Sequence, residues 1–191
     1  LTLYGEQDIS TIYEMPMGRQ RIRTRWLGPD GRSTAYEFIE KQVTQGRQAF
    51  IVCPLIDGSE SIQASAATEE FERVSNNVFP DLRVGLLHGR MSLNEKEEVM
   101  EKFTTGSIHL LVSTQVVEVG IDIPNATVML IDGADRFGLA QLHQLRGRVG
   151  RGSYESYCIL LAESPGHDAR ERMKLVERSD NGFELAEEDL R

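Results

Sequence analysis

The chain has 191 residues, of which 40% are hydrophobic and 27% charged, and its formal net charge is −9. That length allows one domain with a sizeable core, and the acidic balance excludes a general basic coat for nucleic acid, although local positive charge can still grip phosphates. No apolar run reaches the length of a membrane span and no signal-peptide pattern opens the chain, so no membrane partner is expected. The positive charge is unevenly typed. There are 17 arginines against four lysines, and the planar guanidinium is the group that matches phosphate oxygens in pairs. Cys53 and Cys158 lie far apart in apolar runs, with no CxxC or metal-ligand spacing, which reads as two buried thiols in a reducing compartment. The chain opens on Leu1 and stops at Arg191 inside a charged run, so a piece of a longer protein is expected.

The opening segment, residues 1–32, is irregular and ends in the turn signal Gly28-Pro29-Asp30-Gly31. Arg19, Arg21, Arg23 and Arg25 alternate within it. In an extended strand they share one face, either the solvated side of an edge strand or a stripe against an anionic partner. A helix is predicted next, capped by Ser33 or Thr34 with Glu37 closing a capping box, carrying Tyr36, Ile39 and Val43, and stopped by Gly46. Residues 49–54 form a short apolar run, predicted as a buried strand. A helix-like stretch over 59–77 follows, then a strand over 83–87 and a helix over 93–104. Strands are predicted at 108–112 and 127–131, a helix at 139–146, a strand at 157–161 and a helix at 168–178. Residues 179–191 begin a further charged segment.

About five strands apolar throughout, alternating with amphipathic helices, define an α/β fold with a mostly parallel sheet flanked by helices over residues 33–178. Crossovers in such a fold are right-handed, and ligands sit beyond the carboxyl ends of the strands. The polar clusters at 54–57, 88–90 and 113–115 all fall at such ends, which predicts one functional face.

Gln144-Leu145-Arg146-Gly147-Arg148-Val149-Gly150-Arg151 places three arginines within six residues, interleaved with glycines. Crowded guanidiniums need an anion or carboxylates beside them, so the stretch is either a phosphate site or a surface turn paired with acidic side chains. No lysine follows a glycine anywhere in the chain, so a phosphate-binding GxxxxGK[ST] loop is excluded, and GxGxxG is also missing. Asp132 ends an apolar run as a magnesium-binding aspartate does. Without a phosphate loop, and with Gly133 after it, the expected role is to cap the following turn. Arginines without a phosphate loop can stabilise the transferring phosphoryl group of a nucleotide held by a different domain.

These segments resemble, in order and spacing, the second RecA-like lobe of superfamily 2 helicases. The stretch 144–151 resembles motif VI, 113–126 with its Gly120-Ile121-Asp122-Ile123-Pro124 core resembles motif V, 50–55 resembles motif IV, and 88–91 resembles the strand-end motif between them. Met15-Pro16, Gly18-Arg19, Cys53-Pro54-Leu55-Ile56, 137–152 and 181–191 narrow the resemblance to the RecG-type branch, which remodels branched DNA in recombination and repair. The transcription-repair coupling translocases are the alternative, and a non-catalytic RecA-like binding module is a second.

The resemblance implies a DNA-dependent ATP hydrolase in a bacterial cytoplasm, with ATP and Mg2+ held mainly by a preceding phosphate-loop motor lobe. A wedge domain of the same parent chain would select the DNA structure. It implies that Arg148 and Arg151 reach the γ-phosphate, that Gly120 and Asp122 lie near the ribose, and that Gln144 links to the opposite lobe. Pro54, Leu55, His88, Gly89, Arg90, Ser113 and Thr114 would then line the DNA backbone, and residues from about 182 would begin a coupling segment. No role follows for Arg146.

Overall fold

The computed structural model describes residues 21–54, 56, 58–114 and 122–179. Among these described residues, six strands form one sheet in which every pairing is parallel: β1 Ile22–Leu27, β2 Gln48–Val52, β3 Val84–Leu87, β4 Leu110–Ser113, β5 Ala126–Asp132 and β6 Ser156–Leu161. Their order across the sheet is β1-β6-β5-β2-β4-β3. The strand beyond the five expected is β1, at the sheet edge beside β6. Its arginine alternation leaves Arg21, Arg23 and Arg25 exposed, and Arg23 pairs with Glu155, the solvated-edge arrangement of the two weighed. At the same edge the Trp26 amide donates to Glu177 Oε1 at 3.1 Å.

Among the described residues, five helices cover the sheet: α1 Gly31–Thr44, α2 Glu60–Arg73, α3 Leu93–Thr104, α4 Leu139–Arg146 and α5 His167–Arg178. The predicted helix over 59–77 is α2 followed by a π-type turn, Val74–Val78. Helix α1 begins earlier than its expected cap. Asp30 occupies the N-cap position, and the Gly31 amide closes the preceding turn onto the Gly28 carbonyl at 2.9 Å. Gly31 is required there, because a Cβ would lie 2.5 Å from the Cβ of Leu27. By contrast, α3 has a full capping box. Ser92 Oγ accepts the Glu95 amide, and Glu95 Oε2 accepts the Ser92 amide at 2.7 Å.

Helices α1 and α2 bury Ala35, Ile39, Val43 and Ala67 against one face, with Ile51, Val112 and Leu130 of the sheet. Helices α3, α4 and α5 bury Met100, Phe103, Leu142, Leu145, Met173 and Val176 against the other. Helices that carry the chain one way across the sheet thus share a face, as right-handed crossovers require. Phe103 meets Phe50 edge-on at 5.0 Å between ring centroids, and truncating such a ring to alanine costs about 3–5 kcal/mol. From β2 the chain moves toward the β3 edge, and from the neighbouring β5 it moves toward β6. Their carboxyl ends therefore flank the crevice where an open α/β sheet receives its ligand.

Candidate functional site

Three of the expected segments leave the sheet side by side. Register pairs Val52 of β2 and Leu87 of β3 with Ser113 of β4, so Pro54, His88 and Thr114 follow neighbouring strand ends. The Thr114 amide donates to the Leu87 carbonyl at 3.1 Å, and the Cys53 amide donates to the Ser113 carbonyl at 2.8 Å. Ser113 is fully buried, and its hydroxyl has no partner among the described residues. Its side chain sits under the face rather than on it. Thr114 is buried, Pro54 and His88 are half-buried, and Gly89 and Arg90 are exposed.

The His88 carbonyl accepts the Met91 amide at 3.3 Å, which makes the segment a tight turn. Burial holds the His88 imidazole below its usual value, with the nearby Lys96 and Arg90 charges acting the same way and Glu95 opposing them. Arg90 Nη1 donates to Ser61 Oγ at 2.7 Å, joining this turn to the start of α2. An open groove of about 510 Å³ runs alongside, bordered by Ser61, Ser65, Thr68, His88 and Arg90.

At the crevice between β2 and β5 the structure corrects the expectation for Asp132. It caps no turn. Arg32 of α1 donates to both carboxylate oxygens, Nη1 to Oδ2 at 2.5 Å and Nη2 to Oδ1 at 2.9 Å. Arg32 Nη1 also donates to the Tyr36 hydroxyl at 3.3 Å, and Tyr36 accepts a second bond from Arg73 Nη2 at 2.5 Å. Arg73 in turn grips Glu70 through Nε at 2.8 Å and Nη2 at 2.7 Å. Carboxylate contacts raise both guanidiniums above their usual value. Beside this chain of charges, burial, with Glu70 and Asp132 adding to it, pushes the Cys53 thiol up to about 12, so it is inert near neutrality. Gly133, at a φ of +64°, lies against Pro54; a Cβ there would sit 2.9 Å from the Pro54 Cβ. The Arg32–Tyr36 spacing fits one helix face, but the distant partner Asp132 is not readable from spacing.

The arginine-rich stretch divides into three environments. Leu139, Leu142 and Leu145 bury one side of α4, leaving Gln144 exposed. Arg146 is buried, 4% exposed. Arg148 is half-buried and Arg151 is exposed. Arg151 Nη1 pairs with Asp122 Oδ1, 29 positions away, and Arg151 Nε donates to the Gly147 carbonyl at 3.1 Å. The end of the motif V segment is seated on the same loop. Gly152 lies so close to Pro124 that a Cβ would meet its carbonyl oxygen at 2.5 Å. Arg47 Nη1 donates to Asn125 Oδ1 at 2.8 Å and stacks over the Tyr154 ring at 3.3 Å from its centroid. The two segments expected to share nucleotide chemistry are therefore in contact. Leu55 and Gly120 lie outside the described residues.

Both weighed readings of the arginines meet here, since Arg151 has a carboxylate partner and an exposed one. Asp122 keeps 60% of its side chain in solvent, and exposed pairs of this kind are worth about 0–1 kcal/mol. A phosphate can displace such a partner. No group of three or more histidine, cysteine or acidic side chains that could hold a metal occurs among the described residues. Both oxygens of Asp132 are engaged by Arg32. Among the same residues, no helix is long and apolar enough to cross a membrane.

An all-parallel six-stranded sheet among the described residues, with the arginine loop and the motif V turn meeting ahead of β5 and β6, defines the class: a RecA-like helicase C-terminal lobe. The chain belongs to the helicase conserved C-terminal domain family, whose model matches residues 32–153. It is 49% identical over 191 residues to the ATP-dependent DNA helicase RecG of Synechocystis, covering all of this chain and 23% of that protein. It is 47% identical over 190 residues to RecG of Bacillus subtilis, again along its whole length and over 28% of the relative. This chain thus spans about a quarter of the curated relatives it matches. A solved RecG bound to a three-way DNA junction superposes with a TM-score of 0.79 at 47% identity, over 93% of this chain and 23% of that one. Domain 2 of the DEAD-box helicase Mss116p, bound to an RNA duplex, shares the fold at TM-score 0.62 and 20% identity, over 88% of this chain and 68% of that one.

Proposed function

We propose that this chain is the second motor lobe of an ATP-dependent DNA translocase that remodels branched DNA in recombination and repair. The observation that carries the reading is the meeting of Arg151 with Asp122 across 29 positions, beside Arg148, in a chain with no Gly-Lys pair. A loop so built can complete a nucleotide site but not form one. In the parent protein a phosphate-loop lobe holds ATP and Mg2+, and a wedge domain engages the junction. Closure of the lobes brings Arg148 and Arg151 to the γ-phosphate, where charge spreads over the equatorial oxygens as the bond to ADP breaks. Asp122, released by Arg151, accepts from a ribose hydroxyl near Gly120, and Gln144 faces the opposite lobe.

The named relatives support the DNA side of the proposal. RecG is described as an ATP-dependent DNA helicase, and one solved RecG sits on a three-way junction. Pro54, His88, Gly89, Arg90 and Thr114, with Leu55 proposed to act beside them, offer backbone amides, one hydroxyl and one guanidinium suited to phosphate and sugar contacts, which position DNA without reading its sequence. Ser113 supports that face from below. Such a protein works in the bacterial cytoplasm.

The test compares this chain alone with a protein that pairs it with a phosphate-loop lobe. The chain alone hydrolyses no ATP, and the paired protein shows Mg2+-dependent turnover that Arg148→Ala abolishes. Turnover by the isolated chain, or a paired protein indifferent to Arg148→Ala, sinks the reading.

A further inference from the structure

Arg146 is the arginine for which the sequence offers no task, and it is the buried one. Its Nη1 donates to the carbonyl of Val176 at 2.7 Å and to that of Ser179 at 2.5 Å. Its Nη2 lies 3.0 Å from Nδ1 of His143. A guanidinium only donates, so that ring nitrogen accepts and carries no proton. Val176 lies in the last turn of α5 and Ser179 directly follows the helix. Carbonyls at a helix end lack intrahelical partners, and the dipole there favours a cation. Arg146 thus caps α5 from outside, out of the last turn of α4. Arg172 of α5 reaches back to the Asp135 carbonyl ahead of α4 at 3.0 Å, so the two helices are tied at two separated points.

The loop bearing Arg148 and Arg151 hangs from this joint. The Arg148 amide donates to the Leu145 carbonyl at 3.0 Å, and the Val149 amide to the Arg146 carbonyl at 3.3 Å. Val149 is fully buried, and Arg151 Nε returns to the Gly147 carbonyl. Each of these anchors lies within residues 145–149. We infer that Arg146 is a positioning residue for the two outer arginines: by fixing the carbonyl end of α5 to the last turn of α4, it sets where their loop leaves the core. A lysine offers one nitrogen in place of the fork and cannot span both carbonyls and the imidazole with the same geometry.

The kinetic part of this inference rests on the proposed function; the structural part does not. Hydrogen exchange on this chain compares Arg146→Gln and Arg146→Lys with the parent. Arg146→Gln speeds exchange about tenfold or more at the last turn of α5 and at amides 147–151 together, with α1 and α2 unchanged, because local opening is set by the bonds that close it. Arg146→Lys falls between. Changes confined to 176–179, or spread evenly over the chain, overturn the inference and leave Arg146 a purely structural group. Where Arg146→Gln fails to unfold cooperatively, Arg146→Lys carries the same comparison. In the two-lobed protein, Arg146→Gln lowers kcat for ATP about tenfold or more, since small misplacements of reacting groups are costly. KM stays within about threefold, as expected when only transition-state contacts weaken, and Arg146→Lys recovers part of the loss. A kcat equal to the parent's in folded Arg146→Gln also overturns it. A two-lobed parent without turnover would refute the proposed function while the exchange result still decides the role of Arg146.

Discussion

Two arginine clusters lie at opposite ends of the sheet's strands, one around Asp132 at the carboxyl end of β5 and one in the 146–151 stretch ahead of β6, against residues just ahead of β5, and they are built for opposite uses. Around Asp132, Arg32 and Arg73 are closed off by carboxylates and share the Tyr36 hydroxyl between them. Asp132 keeps only 10% of its side chain in solvent. In the 146–151 stretch the inner arginine is spent on carbonyls, and the outer Arg151 holds an exposed carboxylate. A charge with two well-aligned, shielded partners is a fastener. A charge on one solvated partner is available to an incoming anion. Burial of the partner, rather than the arginine itself, separates the two uses.

Four substitutions sharpen or break that contrast. Arg148→Ala, in a protein that pairs this lobe with a phosphate-loop lobe, lowers ATP turnover by about a thousandfold or more, while the urea midpoint moves little. A large loss of stability would return Arg148 to the fastening kind. Asp132→Ala does the reverse. It leaves Arg32 with the Tyr36 hydroxyl and the exposed Glu163 alone and destabilises the lobe by about 2 kcal/mol in urea unfolding, below the range for fully buried pairs because Arg32 is partly solvated. Tyr36→Phe removes the shared acceptor and costs about 1 kcal/mol; no change would mean that the two halves of that cluster act independently. Asp122→Asn costs at most about 0.5 kcal/mol, an effect that fades further in high salt. A loss as large as that of Asp132→Ala would erase the distinction between the clusters.

The periodicity of the sequence made most of the fold legible. Strands apolar on both faces, such as 126–132, and helices with one apolar side, such as 93–104, left little room for another class. Strand β1 was harder to read because its exposed arginines and its place at an edge dilute the apolar signal. The start of α1 was misplaced because a steric need at Gly31 outweighed the side-chain cap at Ser33 or Thr34. Local residue order pointed to the arginine stretch, and its contact with Asp122 fits that pointer. The pairing of Arg32 with Asp132, a hundred positions apart, leaves no local trace, and the residues beside Asp132 point only to a turn cap. Arg146 is opaque for the same reason: the carbonyls it reaches, Val176 and Ser179, are 30 and 33 positions away, and every residue type supplies a carbonyl.

The position of β1 has a consequence for how the molecule is made. Its neighbour in the sheet is β6, with Ile22 beside Ser156, and Arg23 and Glu155 across that seam are 132 positions apart. Closing so long a loop has an entropic cost that no contact offsets until the late strand arrives. During synthesis the central strands can pair as they emerge, whereas the first strand must wait for the last. The seam between β1 and β6 is therefore the final fastening of the sheet on the ribosome and, during unfolding, a natural place for the lobe to begin to open.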